Sequence, residues 1–364
     1  ELIPLVQCLG HMETPLSVPG YEHLREVPDD SSGLNPLAAG ARDLIQRMAE
    51  DVLTLMPDVR HFHLGGDEAW TMGKHPDTQA YIAEHGKGEL YLQHVEPILD
   101  SLNARGVRPI LWHDMMIHWD SDALKSLAEK CDLLAWGYSG HPDMTAHHYN
   151  TKYIKRFHDH GITQWGGTAY KGADGHNIDL PNIEKRAENA QAWADIAQRF
   201  GYVGVIATAW SRYSTDRVQC EFIDAALDSL VNIGVILHDG RPPEGGIDAC
   251  IAALEELGER GRFQSCKTAM AHLAEVRRRG WQEIQSLREQ MVLFRTDARR
   301  ASSRRKSSYL DLLDKLLEES KTVAEEVRSA FAELVAPIWI EEYLSTRLTP
   351  LREELSALDS EADT

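Results

Sequence analysis

Through the first two-thirds of the chain, short apolar runs alternate with longer stretches in which apolar positions recur every three or four residues. The short runs, at residues 2–7, 60–66, 108–113, 132–137, 162–167 and 202–209, have the length and composition of strands. The longer stretches, near 38–56, 89–105, 122–129, 146–160, 182–200 and 216–231, predict helices. Gly106, Gly161 and Gly201 each stand where a helix should stop and the next strand begin. Strand–helix alternation at this spacing predicts parallel strands joined by crossover helices. Six such units are legible, two short of a (β/α)8 TIM barrel. A doubly wound open sheet is the competing fold, but no strand is followed by Gly-x-Gly-x-x-Gly.

The pattern changes after residue 240. Arg241-Pro242-Pro243-Glu244-Gly245-Gly246 has the composition of a linker, and beyond it only helical periodicity remains, near 248–258, 265–295, 303–335 and 338–357. The domains expected are therefore a partial barrel over 1–240, a linker over 241–247 and a helical region over 248–364. Leu310, Leu313, Leu317, Val323, Val327 and Phe331 form an apolar stripe at helical spacing, which predicts a packing or homodimerisation surface rather than chemistry.

The stretch Arg60-His61-Phe62-His63-Leu64-Gly65-Gly66-Asp67-Glu68-Ala69-Trp70 stands out. In a continuous strand Asp67 and Glu68 would point to opposite faces. They act together only if the strand ends near Gly66 and the chain turns, which paired glycines permit. An arbitrary Asp-Glu pair after a strand is usually a solvated turn. Here the glycine hinge, the histidines and the trailing tryptophan favour a catalytic loop at the C-terminal end of a barrel strand.

Polar and aromatic residues also gather at the other strand ends. His11 follows the first strand, Trp112 and Asp114 the third, Trp136 and Tyr138 the fourth. Trp165 and Tyr170 belong to the fifth, and Trp210, Arg212 and Tyr213 to the sixth. Tryptophan at four of six strand ends predicts an aromatic-walled pocket suited to a sugar face. Enclosure of that kind raises the pKa of a carboxylic acid, and Glu68 beside Trp70 is the expected general acid.

With 364 residues, 43% hydrophobic and 26% charged, the chain has the composition of a globular protein. A formal charge of −19 argues against nucleic acid or an anionic membrane as partner. The five cysteines are scattered, without Cys-x-x-Cys, which predicts a reducing compartment, the cytoplasm. No apolar run reaches the roughly 18 residues of a membrane span. Because Leu2-Ile3-Pro4-Leu5-Val6 is already a buried-strand pattern, the sequence is read as a fragment.

The segment His63-Leu64-Gly65-Gly66-Asp67-Glu68 resembles the signature of glycoside hydrolase family 20, the β-N-acetylhexosaminidases, and most of all the hexosaminidase D branch. Supporting segments are Ile3-Pro4-Leu5-Val6-Gln7, Gly10-His11-Met12-Glu13, Leu24-Arg25-Glu26-Val27, Leu34-Asn35-Pro36, Ala169-Tyr170-Lys171-Gly172-Ala173 and Trp210-Ser211-Arg212-Tyr213. The resemblance implies that the first visible strand is the third of the barrel. It also implies exo-acting cleavage of terminal β-linked N-acetylhexosamine from a glycan, without metal or other cofactor. The substrate's own acetamide would be the nucleophile, through an oxazolinium intermediate. Asp67 would orient the acetamide N–H, Glu68 would protonate the leaving oxygen and Tyr138 would donate to the acetamide oxygen. Trp112, Trp136, Trp165 and Trp210 would wall the sugar, His11, Asp114 and Tyr170 would line the site, and His63 would support the acids from behind.

Two departures bear on sugar preference. Arg212 stands where many members carry an acid, and Gly140 replaces another. Arg212 is expected either to bind a hydroxyl or to pair with a carboxylate such as Asp216. The rival readings are a metal-dependent barrel hydrolase using His61, His63 and Asp67, and a non-catalytic carbohydrate-binding barrel.

Overall fold

The computed structural model describes residues 2–212, 218–296 and 303–362. The chain forms two compact units, one of residues 1–168 with 188–207 and the other of 169–187 with 208–364. The stretch 241–247 lies within the second unit, and a helix already starts in it at Gly246.

Strands β1 (Arg25–Val27) and β2 (Asp30–Leu34) pair as an antiparallel hairpin. Strands β3 (His61–His63), β4 (Arg108–Trp112), β5 (Asp132–Trp136), β6 (Gln164–Lys171) and β7 (Val205–Ala209) form one sheet in that order. The pairings from β3 to β6 are parallel. Leu5 adds a parallel bridge to His63. The expected first strand is reduced to that bridge. Pro4 has no N–H to give, so contact rests on its carbonyl, which accepts from His63 N at 2.8 Å, and on Val6 N, which donates to His63 O at 2.9 Å.

Between the strands lie α2 (Ala41–Leu55), α3 (Pro76–His85), α4 (Lys87–Asn103), α5 (Ser121–Lys130), α6 (Thr151–Asp159) and α7 (Ile183–Phe200), preceded by the single-turn α1 (Glu13–Leu16). Spatial order equals sequence order across the sheet, with no reversal. Right-handed crossovers then place every helix on the same face, which is barrel winding rather than a doubly wound sheet. The two faces show it. Phe62, Leu111 and Leu133 join Leu44, Ile45, Leu99 and Leu127 in the core beneath the helices. The alternate residues Ile110, Trp112 and Leu134 turn the other way and pack with Ile3, Trp136, Trp165 and Ile206. The fold is thus a partial (β/α)8 barrel followed by helices.

The last expected barrel helix starts later than the sequence suggests. A short 3₁₀ turn at Ile223–Ala225 precedes α8 (Leu227–Asp239). The remainder of the second unit is α9 (Gly246–Glu256), α10 (Arg260–Thr296), α11 (Ser303–Phe331) and α12 (Pro337–Ala362). Leu313, Val323, Val327 and Phe331 of the stripe on α11 are buried with Leu273, Ile284, Leu348 and Leu355 of α10 and α12, so the stripe packs within its own unit. A Cβ at Gly280 in α10 would stand 2.8 Å from Leu351, so glycine sets how closely these helices approach. A buried polar centre completes this unit. Asp179 Oδ1 accepts from Tyr343 Oη at 2.7 Å and Arg347 Nε at 3.0 Å, and its Oδ2 pairs with Arg277. Among the described residues no helix is long and apolar enough to cross a membrane. All five cysteines are free and buried.

Candidate active site

Strand β3 stops at His63, and the chain then turns through Gly65 and Gly66 at φ +61° and +79°. Side chains there have no room. A Cβ on Gly65 would fall 1.6 Å from Gln7 Oε1, and one on Gly66 would fall 2.2 Å from the Tyr91 hydroxyl. That hydroxyl donates to Gly66 O at 3.0 Å. His63 Nδ1 accepts the Gly65 N–H at 2.9 Å, so this histidine caps the turn ahead of the acids. Burial pushes its pKa down to about 3. Its ring lies 4.6 Å from that of Trp112.

The turn places both acids within reach of one cation. His11 Nε2 is 3.5 Å from Asp67 Oδ2 and 3.4 Å from Glu68 Oε2. The hydrogen bonds to Asp67 and then to Glu68 lift its pKa to about 10 despite partial burial, so the imidazolium persists across the neutral range. His11 and Glu68 are the two non-glycine residues with positive φ among the described residues, at +54° and +45°. Left-handed backbone at a side-chain-bearing residue costs energy and persists where the surroundings impose it. Gly10 lets the loops meet, since a Cβ there would sit 2.2 Å from Asp67 O.

Asp114 supports the acid from the next strand end. Its Oδ2 accepts the Glu68 backbone N–H at 3.0 Å and its Oδ1 accepts the Trp136 indole N–H at 3.2 Å. Burial first, and then the nearby Asp67 charge, push this carboxyl up to about 6. Trp112 and Trp136 stand edge to face at 6.4 Å, and Tyr138 lies 5.3 Å from Trp136. The first unit thus gathers His11, His63, Asp67, Glu68, Trp112, Asp114, Trp136 and Tyr138 at the C-terminal strand ends.

Three expectations change. Trp165 is not at a strand end, because β6 runs on to Lys171. Gly167, two residues later, is the register partner of Trp136. Trp165 instead donates to Asp132 at the start of β5, at 3.0 Å, and meets His61 at the start of β3, at 5.5 Å. Trp70 does not enclose Glu68 either, being 68% exposed. Finally, His61 faces Trp165 while His63 Nδ1 takes an amide proton, so they do not converge with Asp67. Among the described residues no group of three or more His, Cys, Asp or Glu gathers as a metal site.

Tyr170, Trp210 and Arg212 belong to the second unit. The Tyr170 carbonyl accepts from Ser229 Oγ at 2.7 Å, and that of Trp210 accepts from Lys171 Nζ at 2.7 Å. Arg212 pairs with Glu342 of α12 at 2.9 Å and lies over the Trp339 ring. Its expected partner Asp216, and Tyr213, lie outside the described residues.

Sequence reasoning missed two neighbours of the acids. Gln7 Nε2 reaches Asp67 Oδ1 at 3.4 Å while its Oε1 accepts the Gly66 N–H at 3.2 Å. Its place as the polar residue closing the first apolar run was the available signal. His148 packs on Trp136 at 4.3 Å, from the loop before α6, where the sequence pattern already expected a helix.

The glycosyl hydrolase family 20 catalytic-domain profile matches residues 20–223, more than half the chain. Hexosaminidase D of Bos taurus is 31% identical over 252 residues, covering 65% of this chain and 71% of that protein. Hexosaminidase D of Homo sapiens is 30% identical over 240 residues, 63% of this chain, which spans about half (49%) of the human protein. A crystal structure of β-N-acetylhexosaminidase from Bacteroides fragilis aligns with a TM-score of 0.48 at 16% identity, over 71% of this chain and 53% of that one. With its paired acids inside the matched span, the chain belongs to glycoside hydrolase family 20, close to hexosaminidase D.

Proposed function

We propose that this protein is an exo-acting β-N-acetylhexosaminidase that removes terminal non-reducing GlcNAc or GalNAc by substrate-assisted catalysis with retention. The reading rests above all on the shared contact of Asp67 and Glu68 with His11. Adjacent carboxylates tied to one imidazole stand on the same side and are poorly placed to flank a sugar as acid and nucleophile. An acetamide oxygen attacking its own anomeric carbon needs no such partner. Glu68 gives its proton to the leaving oxygen and then takes one from the water that opens the oxazolinium ring. Asp67, steadied by Gln7 and His11, holds the acetamide N–H and stabilises the developing positive charge. Tyr138 donates to the acetamide oxygen, and Trp112 and Trp136 supply apolar wall. The five buried free cysteines fit a cytoplasmic location.

The test compares nitrophenyl N-acetyl-β-glucosaminide and N-acetyl-β-galactosaminide with the plain glucoside and galactoside. Intramolecular attack is worth up to about 7–11 kcal/mol when well oriented, so losing half of it slows turnover by several powers of ten. A thiazoline mimic of the cyclised intermediate should inhibit far more strongly than N-acetylglucosamine. Comparable rates on plain hexosides point to a different nucleophile and a different enzyme.

A further inference from the structure

Trp70 is the most exposed of the nine tryptophans, at 68%, although it stands two residues from Glu68. Its backbone is held throughout. The Trp70 N–H donates to Glu68 O at 2.6 Å, closing a three-residue turn on the buried Ala69, and Met72 N donates to Ala69 O at 3.2 Å. Further on, Glu26 Oε1 accepts the amide protons of Gly73, Lys74 and His75 at 2.8, 2.9 and 3.0 Å. The loop is pinned on both sides of an indole that stands largely in solvent. Flexibility therefore does not account for its exposure.

We propose that Trp70 is the subsite for the leaving-group sugar, stacking its indole on the apolar face of the pyranose whose oxygen receives the Glu68 proton. This rests on the glycosidase reading above. The short turn ties the indole to the residue that must meet that oxygen, and a pre-ordered aromatic face binds a ring with little loss of freedom. The substrate class it favours is an oligosaccharide ending in β-N-acetylhexosamine on a second sugar, rather than a simple glycoside with a small aglycone.

The test measures wild type, Trp70→Ala and Trp70→Tyr on N,N′-diacetylchitobiose and on N-acetyl-β-glucosaminyl fluoride, whose leaving group has no ring. Stacking that acts equally in ground and transition states appears in KM. Trp70→Ala should raise KM for the disaccharide about tenfold, equivalent to about 1.4 kcal/mol, with kcat and all fluoride kinetics unchanged. Trp70→Tyr should recover most of the loss. Equal losses on both substrates, or an unchanged disaccharide KM, overturn the subsite. A wild type inactive on both substrates refutes the glycosidase reading itself, and the subsite with it.

Discussion

The two units each bury a carboxylate centre, and the two centres balance charge in opposite ways. In the first, His11 meets both Asp67 and Glu68, while the nearby Asp114 is met by neutral donors, a backbone amide and an indole. In the second, Asp179 alone is met by Arg277, Arg347 and the Tyr343 hydroxyl, while Arg347 also donates to Gln219 O at 3.0 Å. The Asp114 carboxyl, pushed up to about 6 by burial and then by Asp67, keeps its proton closer to neutral pH than a free aspartate does. The two guanidinium groups and the hydroxyl tether the 172–182 loop to α10 and α12, which suits architecture.

The contrast breaks most visibly at Glu68. Glu68→Gln keeps the shape and removes the proton, so turnover of a disaccharide should fall about 10²–10⁴-fold, with a much smaller loss on nitrophenyl leaving groups. An equal loss on both classes would show that Glu68 is not the acid. Melting should hardly change.

Asp179→Ala should do the reverse. Removing one partner leaves two buried guanidinium groups uncompensated, a cost of about 3–5 kcal/mol. Urea unfolding would measure it. A stability change below about 1 kcal/mol would mean that the cluster is replaceable, and the scaffold half of the comparison would fall.

Asp114→Asn tests the acid-rich centre by pH. The Asp114 carboxyl is raised from 3.8 to about 6, chiefly by burial and then by Asp67. Between those values the folded state holds a proton that the unfolded state has lost, so wild-type stability falls as pH rises through that window. The contribution is at most about 3 kcal/mol. The variant should lose this slope, seen as a nearly constant difference from wild type below pH 4 that shifts in its favour above pH 6. Parallel unfolding midpoints from pH 3.5 to 7.5 would exclude a raised Asp114 carboxyl.

Much of the fold was legible in the sequence because it follows from periodicity. The runs at 108–113 and 132–137 contain β4 and β5, and the 182–200 pattern matches α7 to within a residue. What escaped lacked periodicity. The β1–β2 hairpin is short and half polar, α3 buries little beyond Thr78, and Gly166-Gly167 concealed the continuation of β6 to Lys171. The glycine turn and the acid pair were equally plain, since a backbone that must double back writes glycine into the chain.

The sequence by itself determined the order of βα units, the all-helical end and the Gly65-Gly66-Asp67-Glu68 turn, because each follows from local backbone chemistry. Only the tertiary structure decided that Glu68 and His11 would take left-handed backbones without glycine, a strain imposed by contacts from other loops. It alone joined Asp114 to the Glu68 amide across 46 positions and Arg212 to Glu342 across 130. Periodicity reports which face a residue presents to its neighbours in sequence. The partners that meet a carboxylate come from residues distant in the chain, and only folding brings them together.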